Sequence, residues 1–521
     1  VTATLVLHNG TVHTLNRSGS IHSAVAINGE TIVRVGDLDA VRDLIGRETE
    51  VIDLDGRTVL PGFVDAHTHL EVTAHIRRLW IDATLSSPAE VIEAIEQAVR
   101  SRPPGEWIVV SSGFREPLPA KAVLDKIAPQ HPVIVRRTMH VQMANSLAFG
   151  RSGLSPSNPR PKPGCRLEIG PDGEFTGLVE EAFDLFAVPE PSPQQLQAAL
   201  ADTAREMFTS HGVTTIYDMP ASVEGVRCLQ RLASARALPV RVRLHPILPP
   251  VHQGIAPLSH YTDIGLLSGF GDDWLRFGGV KLFVDGHERA AATNDAMHGG
   301  RDQSRYALLP RTYEQLVREV TVAMAGGVQI WLHAWGDYAQ QLAIEAVEEA
   351  SRATGITDHR TRIEHMLNAG YTSIDLDRVR AAGIVPVPQA SFLKGDQPTD
   401  GLPKYVFRDA IDHGLRPAGS SDCTGSQPTL VNPWVGIEAM VARTNKSGIT
   451  VDAGQAIGLT DALRVYTGNS AYAGFEEHVK GSIEPGKLAD LAVVETDPYT
   501  VPADELASIK TAMTIIGGNS R

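Results

Sequence analysis

From Leu5 to about Leu60 apolar and polar residues alternate in short runs, LVLHNGTVHTL, AVAINGETIVRVG and VIDLDGRTVL. A period of two is the signature of a half-buried strand. The runs are broken at Asn9-Gly10, Asn28-Gly29 and Asp55-Gly56, dipeptides that tolerate the positive φ of tight hairpin turns. A small antiparallel β unit is expected there. The same texture returns in GSIEPGKLADLAVVE and IKTAMTIIGG. Both ends, residues 1–59 and 471–521, are therefore expected to build one β-sandwich.

Between 60 and 470 the pattern changes. Short β-branched runs alternate with helical stretches at Ala89–Arg100, Gln194–His211, Tyr313–Ala325 and Tyr338–Ala353, which is the rhythm of βα repeats around a parallel sheet. Eight runs serve as strands: VLPGFVDAH, GVTTIYDM, PVRVRLHPI, GGVKLFVD, VQIWLHAW, TRIEH, GIVPVPQ and RPAGSSD. The fold class expected is α/β, a (β/α)8 TIM-like barrel. Residues 101–200 add further strand-like pieces (WIVVSSGF, PVIVRRTM), a Pro-rich loop and a hairpin at Pro171-Asp172-Gly173. This reads as an insertion after the first barrel strand.

Composition narrows the function classes. The 521 residues carry 47 Lys and Arg against 61 Asp and Glu, a net charge of −14. With no basic stripe to neutralise phosphates, nucleic acid is not expected as a partner. Cys165, Cys228 and Cys423 are too few and too dispersed for a disulfide framework, which favours a reducing cytoplasm. The N-terminal stretch VTATLVLHNGTVHTLNR lacks the basic and apolar regions of an export signal, and no apolar run is long enough for a membrane span, so neither is expected. Oligomeric state is not legible; symmetry statistics alone favour a homo-oligomer.

Chemistry concentrates at the ends of the predicted strands. In Asp65-Ala66-His67-Thr68-His69 the period of two turns His67 and His69 to one side, where both imidazoles can reach one cation. Lys281, His333, His365 and Asp422 end later strands, where a barrel enzyme carries its site. Taken singly, each has an ordinary alternative: a core histidine bonded to a carbonyl, an ion-paired lysine, an aspartate capping a helix. Their joint occurrence in barrel order points to a metal hydrolase.

Other arrangements are absent or weak. SSDCTGS is not GxSxG, no GxxxxGK[ST] occurs, and Gly278-Gly279 lacks a phosphate-binding continuation. Glu180 and Glu181 in GLVEEA read as a solvated helix face rather than an acid/base pair. Cys423, adjacent to Asp422 and so facing the other way, reads as a packing residue. Trp80, Trp107, Phe114, Trp331, Trp335, Phe392 and Trp434 either wall an apolar pocket or pack the core.

These segments resemble the amidohydrolase superfamily, and within it the amidohydrolase family 3 branch related to N-substituted formamide deformylases. LPGFVDAHTHL, HVQMANSLAFGRSGL, GPDGEFTGLVEEA, GGVKLFVDG, HAWGDYA, RIEHM, SSDCTGSQP and GSIEPGKLADLAVV carry the resemblance along nearly the whole chain. It implies that His67, His69, Lys281, His333, His365 and Asp422 form the metal site. It also implies that Lys281 is carbamylated to N6-carboxylysine and bridges two divalent cations. A one-metal site of His67, His69 and Asp422, with His333 nearby, is the alternative. Imidazole and carboxylate ligands favour zinc, while manganese, nickel and iron suit similar sets.

The expected reaction is hydrolysis of a non-peptide C–N bond in a small amide, formamide, cyclic amide or carbamate. Asp422 acts as base and then acid, oriented by Ser420 and Ser421, with His333 as the second catalytic group. His140, Asn145 and Trp335 are the candidate substrate contacts; the first two could equally tie a loop. An esterase or deaminase of the same superfamily, and a non-catalytic ligand-binding relative, are the rival readings.

Overall fold

A computed structural model describes residues 2–113, 118–160, 162–250, 255–287, 290–293, 308–368, 374–395, 404–424 and 427–521. Strands from both ends share one eight-stranded sheet, in the order Asn519–Ser520, Thr511–Ile516, Leu491–Val494, Thr58–Pro61, Leu5–His13, Ile21–Asn28 and Thr31–Gly36, with Glu50–Asp53 also paired to Leu5–His13. The antiparallel expectation needs correction: Leu5–His13 runs parallel to both Glu50–Asp53 and Thr58–Pro61. The cause is the short helix Leu38–Val41 and the turn after it, which carry the chain back before it re-enters the sheet.

The turn dipeptides divide accordingly. Asn28 closes a hairpin against Thr31. Asn9-Gly10 instead lies inside one strand, where the register shifts between His8 and Val12 and Asn9 has φ 59°, a bulge that bends the strand without ending it. Gly10 is required there, because a Cβ would lie 2.3 Å from the Arg57 carbonyl oxygen.

The middle of the chain holds two four-stranded parallel sheets. One runs Leu275–Phe277, Arg241–Leu244, Val213–Asp218, Phe63–Thr68; the other runs Val280–Phe283, Ile330–His333, Arg362–Glu364, Val385–Val387. Backbone hydrogen bonds link them at both edges. On one side Lys281 N donates to Pro246 O (3.0 Å) and Leu248 N to Lys281 O (2.7 Å). On the other, Ala418 N donates to Pro386 O (3.0 Å), Ala66 N to Gly419 O (2.9 Å) and Asp422 N to His67 O (2.9 Å). The RPAGSSD segment thus joins through single bonds and not as a regular strand; Asp422 itself has φ 50°.

The four helices expected from periodicity form at Pro88–Ser101, Pro193–Met207, Tyr313–Ala325 and Asp337–Thr354. Tyr313–Ala325 shows why. Thr312 and Gln315 make a reciprocal capping box, satisfying amides that the first turn leaves open, and Leu316, Val320, Ala323 and Met324 fall on one buried stripe. Full burial of such side chains stabilises by roughly 1.5–3 kcal/mol each. Among the described residues no helix is long and apolar enough to cross a membrane.

The added sheet orders Arg166–Ile169, Phe175–Glu180, Val141–Ala144, Val133–Arg137, Ile108–Ser112 and Ile81–Ala83. It begins at Ile81 rather than 101, because Ile81–Ala83 pairs with Ile108–Ser112. Pro171-Asp172-Gly173 makes the expected hairpin. Glu180 and Glu181 are not on a solvated helix face: they close a strand and are buried, at 4% and 1% exposure. Glu180 pairs with Arg166 and Glu181 with His140, which satisfies carboxylates that burial would otherwise penalise.

Candidate metal centre

Strand Phe63–Thr68 delivers His67, and His69 follows at the start of helix Leu70–Ala74. The two rings lie 5.4 Å apart. Both Nε2 atoms approach the same oxygen, Oδ1 of Asp422, at 3.2 Å from His67 and 3.4 Å from His69. Across the site, donor atoms of His67, His365 and Asp422 all lie within 4.8 Å of one another. His333, at the end of Ile330–His333, has its ring 4.6 Å from that of His365. Lys281 is fully buried on Val280–Phe283, its Nζ 5.4 Å from the Phe283 ring, which in turn stacks on His333 at 4.7 Å.

Three imidazoles are oriented through Nδ1. His67 Nδ1 donates to Glu364 Oε2 (2.5 Å), His365 Nδ1 to Gln389 Oε1 (2.7 Å) and His333 Nδ1 to Asp285 Oδ1 (3.2 Å). An acceptor at Nδ1 places the proton there and leaves Nε2 as a lone pair, the tautomer a metal requires. These acceptors are fixed in their turn. Arg362 binds both oxygens of Glu364 (2.9 and 3.0 Å). Asp285 receives the backbone N–H groups of Ala292, Trp335 and Gly336, each at 2.9 Å. Asp65 accepts from Ser421 N (3.0 Å) and Oγ (2.5 Å) and from His67 N (3.2 Å), tying the loop of Asp422 to the first strand. Ser420 Oγ donates to Pro388 O (3.0 Å).

The electrostatics match this geometry. Burial lowers His69 to about 4 and drives His333 and His365 well below the ordinary imidazole value, so these rings are neutral donors near pH 7. Burial likewise lowers Lys281 to about 8. Burial would raise Asp422, yet the His67 and His69 rings set against it hold it well below the usual carboxylate range. Three buried atoms here, His69 Nδ1, His333 Nε2 and Lys281 Nζ, have no hydrogen-bond partner. Unsatisfied buried donors and acceptors are costly, and neutral imidazoles with a carboxylate are the donor chemistry of a divalent cation. The residues fit such a group.

A cavity of about 470 Å³ opens over Asp422, walled by Arg137, His140, His287, Trp335, Phe392 and Tyr405. His140 and Trp335 are therefore brought to the site. His140 Nδ1 lies 2.9 Å from Glu181 Oε2, and its ring stacks 4.9 Å from that of His287. Asn145 is not brought there. Its Oδ1 accepts from Val133 N (2.9 Å) and Ala148 N (3.0 Å) and its Nδ2 donates to His131 O (2.8 Å), so it caps helix Ser146–Arg151 and ties a loop. Cys423 packs in the core and also reaches the cavity wall, with Sγ 3.6 Å from Thr73 Oγ1. Of the aromatic candidates, Trp331 and Trp434 are fully buried and Trp80 and Trp107 line a different cavity; Phe114 lies outside the described residues.

Sequence reasoning passed over Asp65, Asp285, Glu364, Gln389 and His287. A signal existed for three of them. Asp65 and Glu364 stand within two residues of a candidate ligand histidine, and Asp285 follows the lysine strand by two residues; a metal-ligating imidazole usually donates its second nitrogen to such an acceptor.

Residues 50–521 match the profile of the amidohydrolase family. The chain is 28% identical to an N-substituted formamide deformylase from Arthrobacter pascens, over 99% of this chain and 97% of the relative. It is also 28% identical to Protein LONG AFTER FAR-RED 3 of Arabidopsis thaliana, over 99% and 91%. The crystal structure of an uncharacterized metal-dependent hydrolase from Pyrococcus horikoshii superposes with a TM-score of 0.73 at 23% identity, covering 96% of this chain and 99% of that one. At that identity the structure bears on the fold alone.

Proposed function

The chain belongs to the amidohydrolase family, and on that premise we propose that it is a metal-dependent hydrolase that cleaves the C–N bond of a small amide, with N-substituted formamides the first class to test. The observation that carries this reading is the convergence of His67, His365 and Asp422 donor atoms within 4.8 Å, with the imidazole Nδ1 atoms already occupied. The deformylase relative supplies the substrate class.

His67, His69, His365 and Asp422 would hold the cation, with His333 and Lys281 beside them. A bound divalent cation supplies Lewis acidity and a water that ionises near neutral pH. The protein side chains do the remainder. Glu364, Gln389 and Asp285 keep Nε2 of His67, His365 and His333 directed inward. Asp422 accepts a proton from the attacking water and returns it to the leaving nitrogen. His333, whose Nε2 lone pair has no protein partner, would offer a further nitrogen donor to the metal site, and His140 and Trp335 contact the body of the substrate. Zinc is the proposed metal, because three or four nitrogen ligands with one carboxylate suit it.

A two-metal version has its own support. Lys281 Nζ is buried without a partner, and burial lowers it to about 8; its neutral amine would add CO₂ with release of one proton, and the carbamate so formed would offer anionic oxygens to a second cation. The eight parallel segments are read as one (β/α)8 barrel over 60–470, supported by the backbone bonds at both sheet edges. The two chain ends, 1–59 and 471–521, form a β-sandwich over the cluster of Leu7, Val25, Val59, Leu491 and Ile515. Cysteines that are few and widely spaced favour the cytoplasm.

Elemental analysis of chain purified without chelator, paired with hydrolysis of matched N-substituted formamides and esters, tests the reading. We expect one or two metal ions per chain and formamide cleavage that chelation abolishes and zinc restores. Two ions per chain, falling in Lys281→Ala, would support the carbamate bridge. Ester cleavage alone would replace the amidase reading, and no bound metal with no rescue would remove it.

A further inference from the structure

A second cavity, of about 350 Å³, lies behind the catalytic one. The strand Val133–Arg137 separates them. Successive strand residues face opposite sides, and Arg137 lines the catalytic cavity while Arg136 lines the second. The two cavities share no wall residue.

Arg136 is an unusual occupant of such a wall. It is 4% exposed, and its Nε and Nη1 have no hydrogen-bond acceptor. Its guanidinium carbon lies 4.5 Å from the ring centre of Trp80 and 4.0 Å from that of Phe183. Aromatic faces attract a cation, but they accept no in-plane N–H bonds, so the guanidinium edge stays unsatisfied. Arginine is otherwise rarely buried unless paired. Burial pulls Arg136 down to about 9, with Asp184 and Glu190 acting the other way, and it remains charged at neutral pH.

The acids around the cavity do not meet that need. Glu71 is taken up by Ala221 N (2.8 Å), Ser222 N (3.0 Å) and Ser222 Oγ (2.5 Å), and Asp184 pairs with Lys162. Glu106 and Glu190 are solvent-exposed, where water and salt screen them. Among the described residues none forms an ion pair with Arg136. Arg102 adds a second positive charge to the wall, fixed by its bond to Trp107 O (2.7 Å). Trp107 and Phe186 complete an apolar lining.

We propose that this cavity is a second ligand site, for a small organic carboxylate with an aromatic body. The carboxylate accepts from the open N–H groups of Arg136, charge-assisted bonds directed by the planar donor fork that an arginine presents and a lysine does not. The ring of the ligand packs against Trp107 and Phe186. The volume lies at the lower end of small-ligand pockets, roughly 300–1,000 Å³, which suits one ring and a short acid chain. The site stands apart from the metal centre, and its assignment does not depend on the catalytic reading.

The test uses the zinc-loaded full chain and 3-phenylpropanoate as probe, read by quenching of tryptophan fluorescence, since Trp80 and Trp107 are in the wall. Saturable quenching is expected, retained in Asp422→Asn. It should weaken about tenfold or more in Arg136→Met, as loss of a charged hydrogen-bond pair does. Arg136→Lys keeps the charge and loses the fork; it should weaken binding comparably and serves where the methionine variant does not fold. The neutral isostere 3-phenylpropanol should not saturate. No saturable quenching by the acid, equal binding in a folded Arg136 variant, equal binding of the alcohol, or loss of binding in Asp422→Asn would each overturn the assignment.

Discussion

Two buried polar clusters in this protein look alike by burial and differ in how completely they are satisfied. Around Glu476, Arg243 donates through Nε (2.9 Å) and Nη2 (2.7 Å), Tyr217 through its hydroxyl (3.3 Å), and Arg276 and Lys480 pair at 3.3 Å. The remaining Arg243 nitrogen reaches Val242 O at 3.2 Å. At the metal centre the groups are equally buried, yet His69 Nδ1, His333 Nε2 and Lys281 Nζ end without partners. A closed network fixes a fold. An open one, with His67, His333 and His365 oriented from behind, is arranged for something else to bind. Burial and a displaced pKa are therefore weak signs of function until satisfaction is also counted.

Substitutions can break this contrast, and the largest effect belongs to the open cluster. Asp422→Asn should lower kcat by about 10²–10⁴-fold, the range for a lost general acid/base, with the fold intact by circular dichroism; a near-normal rate would remove its role. Next comes the closed cluster. Glu476→Gln leaves Arg243 buried without its counter-charge, and unfolding free energy should fall by about 3–5 kcal/mol while kcat per folded molecule stays the same. Its pH dependence has a definite sign. Burial would raise Glu476, but Arg243 and Lys480 hold it well below its ordinary 4.5. Its contribution is therefore complete above pH 4.5 and is lost as pH falls through the depressed folded value. The stability gap between wild type and Glu476→Gln should narrow as pH falls below about 4.5.

Glu364→Gln lies between the clusters in kind. It weakens the acceptor behind His67 without touching a ligand atom, and metal affinity should drop about 10–100-fold, read by chelator competition. Unchanged affinity would show that His67 needs no orientation. The smallest effect is expected at Asn145, assigned here to a helix cap. Asn145→Ala should cost about 1 kcal/mol of stability and leave KM unchanged, whereas a raised KM would return Asn145 to substrate binding.

Much of the site was legible because ligands and strand ends coincide in the chain. His67 and His69 are two apart, His333 and His365 each close or follow an apolar run, Lys281 lies inside one rather than at its end, and Asp422 lies just past RPAGSS. The parts that escaped were those whose role depends on a partner far away in sequence. Glu364 reads as one acid in TRIEH until His67, 297 residues distant, is seen against it. Glu180 and Glu181 read as solvated because charged pairs usually are; Arg166 and His140 change that only after the strands pair. Asn9-Gly10 carries the chemistry of a turn, and only the pairing with the neighbouring strand Ile21–Asn28 makes it a bulge.

Local periodicity alone sets the helices, most of the parallel strands and the order in which the candidate metal-binding side chains arrive. These are properties of neighbours along the chain, where side-chain direction follows from a period of two or 3.6. Only the tertiary structure decided which nitrogen of each histidine is open, which carboxylates are spent on arginines, and that Arg136 and Arg137, adjacent in sequence, face different cavities. Those outcomes rest on the satisfaction of buried polar atoms, a property of three-dimensional neighbourhoods that no local pattern encodes.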